Sequence, residues 1–144
     1  MSFKIRHVKV LGVKVFMKKV VYVILIIAAI AFAVTLFGNR ASQDMVLAKE
    51  IDSLLENGET QIDLTGVTDF NWTQVSVFGP YTSDEVIEDS MGIKFKGDNG
   101  GIDMLDDRFL VVFANDKYAV KTVVISRKSG TYIIKDNKYL TVEQ

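Results

Sequence analysis

Residues 20–37 read VVYVILIIAAIAFAVTLF, which is 18 consecutive residues without a charge, a glycine or a proline. As an α-helix this stretch would be about 27 Å long at about 1.5 Å per residue, close to the ~30 Å hydrocarbon thickness of a bilayer. A core helix that is apolar on every face needs a large protein around it, and only 107 residues follow. The stretch therefore predicts a transmembrane helix.

The two sides of this stretch differ in charge. Residues 1–19 hold six of the 17 Lys and Arg residues and no acid, whereas residues 38–144 hold eleven basic and all 18 acidic residues, a net charge of −7. Because basic flanks stay in the cytoplasm, we expect a single-pass protein of the cell membrane. It would have a cytoplasmic basic tail (1–19), a signal anchor (20–37) and an extracytoplasmic domain (38–144).

A cleavable signal peptide is the alternative to an anchor. Basic residues precede the apolar stretch, and Ala31-Phe32-Ala33 has the small-x-small form of a cleavage site. The apolar residues nevertheless continue through Phe37, which is long for the roughly 7–15 apolar residues of a signal peptide. The length therefore favours an uncleaved anchor.

Helical periodicity appears twice after the anchor. The apolar residues of segment 41–57 fall on one helical stripe: Leu47, Ala48, Ile51, Leu54 and Leu55. Ser42 or Asn39 is expected to cap this helix, and Gly58 follows its end. A second, short helix is expected to start at residues 82–84 and to end at Gly92. Its inward-facing residues would be Val86, Ile87 and Met91.

Strand patterns occupy most of the remaining chain. Residues 72–78 alternate, with Trp72 and Phe78 on one face, and residues 108–114, RFLVVFA, are apolar on both faces like a covered central strand. Further strands are expected at 118–127, 131–135 and 138–142, with a tight hairpin turn at Asp136-Asn137. We therefore predict a small α+β domain: an antiparallel β-meander covered on one face by two helices.

The candidate binding residues lie in segment 69–83, DFNWTQVSVFGPYTS, and after it. The segment contains the only tryptophan and the only proline of the chain. Its periodicity favours a core strand, but Trp72 and Tyr81 could instead form an aromatic binding edge beside the Gly79-Pro80 turn, with Tyr81 the more exposed. Three acids further along the chain would extend this surface: Asp103, Asp106 and Asp107.

The order of these residues resembles small bacterial envelope proteins of unassigned function. In those proteins a Trp, here Trp72, precedes an F-x-P-Y-T run, here residues 78–82, and a short acidic helix follows, here ending in Met91-Gly92-Ile93. The likeness covers roughly residues 66–130. Such proteins are often lipoproteins, yet Asn39 stands where a lipidated cysteine would be, and the chain has no cysteine. The resemblance implies an exported domain on a membrane tether and implies no activity.

Patterns for catalysis or metal binding are scarce. The only histidine, His7, lies in the basic tail, so the domain has no Ser-His or Cys-His pair and no His/Cys zinc site. The acids of segment 98–107 do not match the twelve-residue calcium loop. A hydrolase that pairs Glu85 or Glu88 with an acid of 103–107 is a remaining alternative. No catalytic residue, metal or cofactor is expected.

The sequence thus predicts a non-catalytic domain that is tethered outside the membrane. Its expected partners are the lipid bilayer along residues 20–37 and a protein or other component of the cell envelope. Nucleic acid is not expected, because a domain with a net charge of −7 repels phosphate. The alternative is a sensor module that binds a ligand or the cell wall.

Overall fold

The structure is a computed structural model that describes residues 2–144, with side chains from Gly12 onward. The chain divides into two units, the first ending at Gly38 and the second comprising Asn39–Gln144. The side chains of His7 and of the first basic residues of the tail, Lys4, Arg6 and Lys9, are outside the part of the chain whose side chains are described.

The first unit is a single helix, α1 (Ser2–Phe37). Its segment Gly12–Phe37 contains an 18-residue window with a mean hydropathy of 3.0, and none of this window is buried in the protein. The backbone N–H of Gly38 donates to the carbonyl of Val34 (2.7 Å), just beyond the last residue of the helix. By length and composition the helix is able to cross a membrane, a criterion that a signal sequence also meets.

The second unit has α+β architecture. Its helices and strands, in chain order, are β1 (Ser42–Gln43), α2 (Met45–Glu56), β2 (Gln61–Asp63), α3 (Leu64–Val67), β3 (Gln74–Phe78), α4 (Asp84–Met91), β4 (Arg108–Ala114), β5 (Ala119–Ser126), β6 (Thr131–Lys135) and β7 (Tyr139–Glu143). The strands predicted at 108–114 and 131–135 have these bounds in the structure.

The strands form two sheets instead of the single predicted meander. One sheet has the order β1-β5-β4-β3, and the other has the order β2-β7-β6; all pairings are antiparallel except that of β1 with β5. The meander prediction is wrong at the step from β5 to β6. There a 3₁₀ turn, Arg127–Ser129, and Gly130 with φ of +129° redirect the chain, so that β6 pairs with β7 alone.

The two faces of β4 contribute to two separate clusters of buried residues. Phe109, Val111 and Phe113 belong to the first cluster, whereas Leu110, Val112 and Ala114 belong to the second. The buried residues of α2 are in the first cluster, and those of α4 are in the second. The prediction that both helices cover one common face of the sheet is therefore wrong. The prediction that residues 108–114 form a covered central strand is confirmed by β4.

The ends of α2 show which local signals the tertiary structure overrides. Asp44 caps the helix, because its Oδ1 accepts a hydrogen bond from the backbone N–H of Leu47 (2.9 Å). The predicted caps are wrong: Ser42 pairs in β1 with β5, and Asn39 lies further upstream. Gly58 has φ of +94° just after the helix, which confirms the predicted C-terminal signal.

The short helix α4 agrees with the prediction except at one residue. Ser83 caps its start, and Gly92, with φ of +66°, ends it. Ile87 and Met91 are buried as expected, whereas Val86 is 49% exposed. The eight-residue helix presents only one stripe to the core, and Val86 lies outside this stripe.

The environment of Trp72 differs from the prediction. β3 begins at Gln74, and Trp72 lies before it, where its indole Nε1 donates to Thr68 Oγ1 (3.0 Å). Trp72 packs on the first buried cluster, while Phe78 belongs to the second. The two rings therefore do not share a face, because the period-two alternation of the strand does not extend back to residue 72.

Candidate functional site

The five candidate binding residues form two separate groups. Trp72 precedes β3 and Tyr81 follows it, and this five-residue strand alone is about 17 Å long at ~3.3 Å per residue. The acids Asp103, Asp106 and Asp107 lie between α4 and β4. The backbone N–H of Tyr81 donates to the carbonyl of Ile102 (2.6 Å), which brings Asp103, the next residue in the chain, close to Tyr81. The two aromatic residues do not form one edge.

Tyr81 has an unusual backbone for a bulky residue. Its φ is +63°, in the left-handed region, and the residue is 67% exposed. A residue with a Cβ pays about 1–2 kcal/mol to adopt this conformation. The hydrogen bond to Ile102 and the bond from the Thr82 hydroxyl to the Gly79 carbonyl (2.7 Å) fix the turn on both sides. Conformations of this kind concentrate at functional sites.

Exposed apolar side chains accompany Tyr81. In the segment that accepts its hydrogen bond, Met104 is 77% exposed and Leu105 is 41% exposed. The backbone N–H groups of both residues donate to the carbonyl of Gly101, which closes a compact turn. We call Tyr81, Met104 and Leu105 the Tyr81 surface. Among the six large apolar side chains that are exposed in the second unit, three belong to it.

The three acids differ in how strongly they are engaged. Asp107 forms an ion pair with Arg108 (Nε–Oδ1, 2.8 Å), and hydrogen bonding from this guanidinium lowers the pKa of Asp107. The backbone carbonyl of Asp106 accepts from Arg127 Nη1 (3.0 Å). Asp103 is exposed and lies between Ile102 and Met104 in the chain, next to the Tyr81 surface.

One ionisable residue that the sequence did not single out is Asp52 on α2. Its Oδ1 accepts a hydrogen bond from the backbone N–H of Ser126 (3.0 Å) and so joins α2 to the end of β5. It lines a shallow cleft of about 220 Å³ together with Asp107 and Arg108. Burial raises the pKa of Asp52 in spite of the hydrogen bond, and Glu56 adds to the rise.

Replacing Asp52 by asparagine is expected to change the pH dependence of stability. Because burial disfavours the ionised form of Asp52 in the folded state, Asp52 makes its full contribution to stability below its pKa in the unfolded chain, 3.8. That contribution is lost as the pH rises through the higher pKa of the folded state. Asparagine cannot ionise and keeps an oxygen for Ser126. The free energy of unfolding of Asp52→Asn, measured in urea, should therefore rise relative to the native chain between acidic and neutral pH.

Asp63 provides a control of opposite sign. The hydrogen bond from the Thr65 hydroxyl lowers the pKa of Asp63 in the folded state. Ionised Asp63 therefore stabilises the fold above its pKa in the unfolded chain, and this stabilisation is lost as the pH falls through the lower pKa of the folded state. In the same measurement Asp63→Asn should lose stability relative to the native chain as pH rises. Parallel curves for Asp52→Asn and the native chain would contradict the assignment of a raised pKa.

Trp72 belongs to a different cavity. The ring packs edge-on against Phe113, with 5.3 Å between centroids, and the residue is only partly buried. A cleft of about 400 Å³ lies beside it, which we call the Trp72 cleft. Its lining residues are Thr65, Thr68, Phe70, Asn71, Trp72, Asp136, Asn137 and Lys138. Trp72 is thus both a packing residue and a wall of an open cleft.

The acidic residues of the second unit were also compared with the arrangements that metal ions need. Within residues 12–144, whose side chains are described, no group of three or more His, Asp or Glu residues is placed to hold a metal ion. Glu88 Oε1 accepts from the backbone N–H of Phe95 (2.9 Å), which gives this carboxylate a structural role.

No family model matches the chain, and no curated protein and no solved structure is detectably similar to it. The resemblance to small bacterial envelope proteins therefore stays a prediction. The chain's own residues have to support any functional proposal.

Proposed function

We propose that this protein is a membrane-anchored interaction domain. In this proposal α1 holds the chain in a bilayer, and the second unit lies outside the cytoplasm and binds a protein of the cell envelope through the Tyr81 surface. The observation that carries the proposal is Tyr81 itself: an exposed ring on a left-handed backbone that is fixed by its hydrogen bond to Ile102.

The composition of α1 supports the membrane part of the proposal. From Gly12 to Phe37 every side chain is exposed, and the large apolar residues occur on all sides of the helix. Such a helix is stable in lipid and unfavourable in water, because its apolar surface has no protein to cover it. Lys14, Lys18 and Lys19 precede the uncharged stretch and favour an orientation with this end in the cytoplasm.

The composition of the Tyr81 surface supports a protein partner. Tyrosine is enriched among residues that dominate binding energies, and methionine adapts its shape to a partner. Because the turn is already fixed, little conformational freedom of the backbone is lost on binding. The carboxylate of Asp103 at the border would favour a partner that has basic residues around an apolar centre.

A non-catalytic role is proposed because two of the acids that the hydrolase alternative would use have structural partners. Asp107 pairs with Arg108, and Glu88 binds the Phe95 backbone.

Two substitutions of Tyr81 should separate backbone strain from binding. Tyr81→Ala and Tyr81→Gly both remove the ring, but only glycine adopts φ near +63° without a Cβ clash. We expect Tyr81→Gly to be more stable than Tyr81→Ala by roughly 0.5–1 kcal/mol in urea unfolding, after allowance for the entropy of glycine. Both variants should lose the partner, and Tyr81→Phe should retain it.

The partner itself is sought by crosslinking intact cells and capturing the full chain from solubilised membranes. The native chain, Tyr81→Ala and Met104→Ala are compared, with Val46→Ala as the matched control because Val46 is 78% exposed on α2, outside the Tyr81 surface. We expect one or more proteins to be lost with Tyr81→Ala and kept with Val46→Ala. An identical set of captured proteins in all four samples would refute the proposal.

A further inference from the structure

We infer that the Trp72 cleft is a second binding site, which takes one ring of a neutral saccharide. The inference goes beyond the proposed function, because the cleft lies at the opposite end of β3 from Tyr81 and shares no residue with the Tyr81 surface. Its volume of about 400 Å³ falls in the range of ordinary small-molecule sites, ~300–1,000 Å³.

The cleft has a rigid frame. Asp136 and Asn137 both have positive φ, +53° and +52°, and are the two central residues of the turn between β6 and β7, which the Lys138 N–H closes by donating to the Lys135 carbonyl (3.1 Å). The side chain of Asn137 fastens this turn to β3: its Oδ1 accepts from the backbone N–H of Val75 (3.0 Å), and its Nδ2 donates to the Thr73 carbonyl (2.9 Å). The turn residues and the chain before β3 therefore keep fixed positions on the two sides of the cleft.

The aromatic wall consists of Trp72 and Phe70. Both rings stand edge-on to the buried ring of Phe113, with centroid distances of 5.3 and 5.2 Å. The indole N–H already donates to Thr68 Oγ1, so the wall offers no polar group of its own to a ligand. What it does offer is partly exposed aromatic carbon, on which the C–H face of a sugar ring is able to stack.

The polar groups around this wall have mixed character. Asn71 offers an amide that donates and accepts, Asp136 a carboxylate that accepts, and Lys138 an ammonium that donates. Asp136 would oppose an anion, Lys138 would oppose a cation, and an apolar ligand would form no hydrogen bond with any of the three. A neutral ring with several hydroxyl groups satisfies donors and acceptors together, because each hydroxyl both donates and accepts.

A peptide that binds as an added β-strand fits the Trp72 cleft less well than a saccharide does. A peptide that added to the edge of β3 would need the free backbone groups of that edge. The side chain of Asn137 already occupies the Val75 N–H and the Thr73 carbonyl. The edge next to the cleft is therefore closed to strand addition, which leaves the side-chain groups as the available recognition elements.

The test uses the full chain in lipid nanodiscs, without detergents that carry sugar headgroups. Trp72 is the only tryptophan, so its fluorescence reports on the cleft alone. The probes are neutral tetrasaccharides of glucose, N-acetylglucosamine, mannose and galactose. We expect a saturable change in emission with at least one of them. Asn71→Ala and Lys138→Ala should each weaken this binding about fivefold to tenfold, while Tyr81→Ala leaves it unchanged.

Three outcomes would overturn the inference. One is the absence of any emission change or calorimetric heat with all four tetrasaccharides at millimolar concentration. Another is equal affinity of the native chain, Asn71→Ala and Lys138→Ala. The third is an emission change caused by a proline-rich peptide that none of the sugars displaces. Because both cleft variants keep Tyr81, failure here leaves the result of the Tyr81 capture experiment unaffected.

Discussion

Replacing Phe113 by alanine is expected to unfold a large fraction of the second unit. Phe113 is completely buried in the first cluster, where the rings of Phe70 and Trp72 rest on it. Removing a ring from such a site costs about 3–5 kcal/mol, because the apolar transfer energy is lost and a cavity remains. Domains of this size have a total stability of only about 5–15 kcal/mol.

The measurement is urea unfolding of the full chain in nanodiscs, followed by the emission of Trp72. Phe113→Leu fills most of the space and should lose less stability than Phe113→Ala. The exposed control Val46→Ala should stay within about 0.5 kcal/mol of the native chain. A loss below about 1 kcal/mol for Phe113→Ala would contradict its central position in the core.

Charges placed in the middle of the uncharged stretch of α1, residues 20–37, are expected to abolish membrane anchoring. Each arginine at the centre of a spanning helix costs about 2.5–3.5 kcal/mol on insertion scales. The double variant Ile26→Arg, Ala29→Arg carries two such costs within the uncharged stretch. We expect it to leave the membrane fraction after a carbonate wash, whereas Ile26→Leu, Ala29→Leu at the same positions should remain.

Two companion measurements address the orientation and the cleavage of α1. Protease added to intact cells should degrade the second unit of the native chain, and intact mass should show that the chain is not cut after Ala33. A double arginine variant that stays in washed membranes would contradict the anchor. A mature chain beginning near Val34 would replace the anchor with a signal peptide, and protection of the second unit would reverse the proposed orientation.

The parts of the fold that the sequence predicts are those with local signals. The stripe with Leu47, Ile51 and Leu55 identifies α2 because its spacing follows the helical period. The run from Arg108 to Ala114 identifies a covered strand, because both of its faces are apolar. Asp136 and Asn137 identify the last hairpin because these residue types tolerate positive φ.

Pairing between distant segments leaves no local trace, and the prediction failed there. The helical stripe predicts a helix within 41–57 capped by Ser42 or Asn39, but in the structure Ser42 and Gln43 pair with β5, so α2 begins later and Asp44 is its cap. Strand β7 pairs on one side with β6 and on the other side with β2, which precedes β7 by more than seventy residues. Ile93, Phe95 and Ile102 are buried without lying in a helix or strand, so no periodicity marked them as core residues.

The sequence indicates which residues belong to the candidate site, but it does not indicate how they are arranged in space. The aromatic content of segment 69–83 indicated Trp72 and Tyr81, and turn chemistry indicated that Tyr81 would be the more exposed. Only the structure shows that β3 separates the two residues. Met104 and Leu105 were missed, because nothing in the sequence distinguishes an exposed apolar residue from a buried one in an irregular segment.

The fastening of the β6–β7 turn by Asn137 has a consequence for the evolution and engineering of this chain. Exposed hairpin tips are ordinarily where a protein accepts inserted residues or peptide tags. Here the tip is exposed, yet its amide holds the backbone of Thr73, just before β3, and of Val75 in β3 through two hydrogen bonds that a longer loop would misplace. The turn is thus constrained in both length and residue type as strictly as an interior position, and an epitope tag belongs elsewhere.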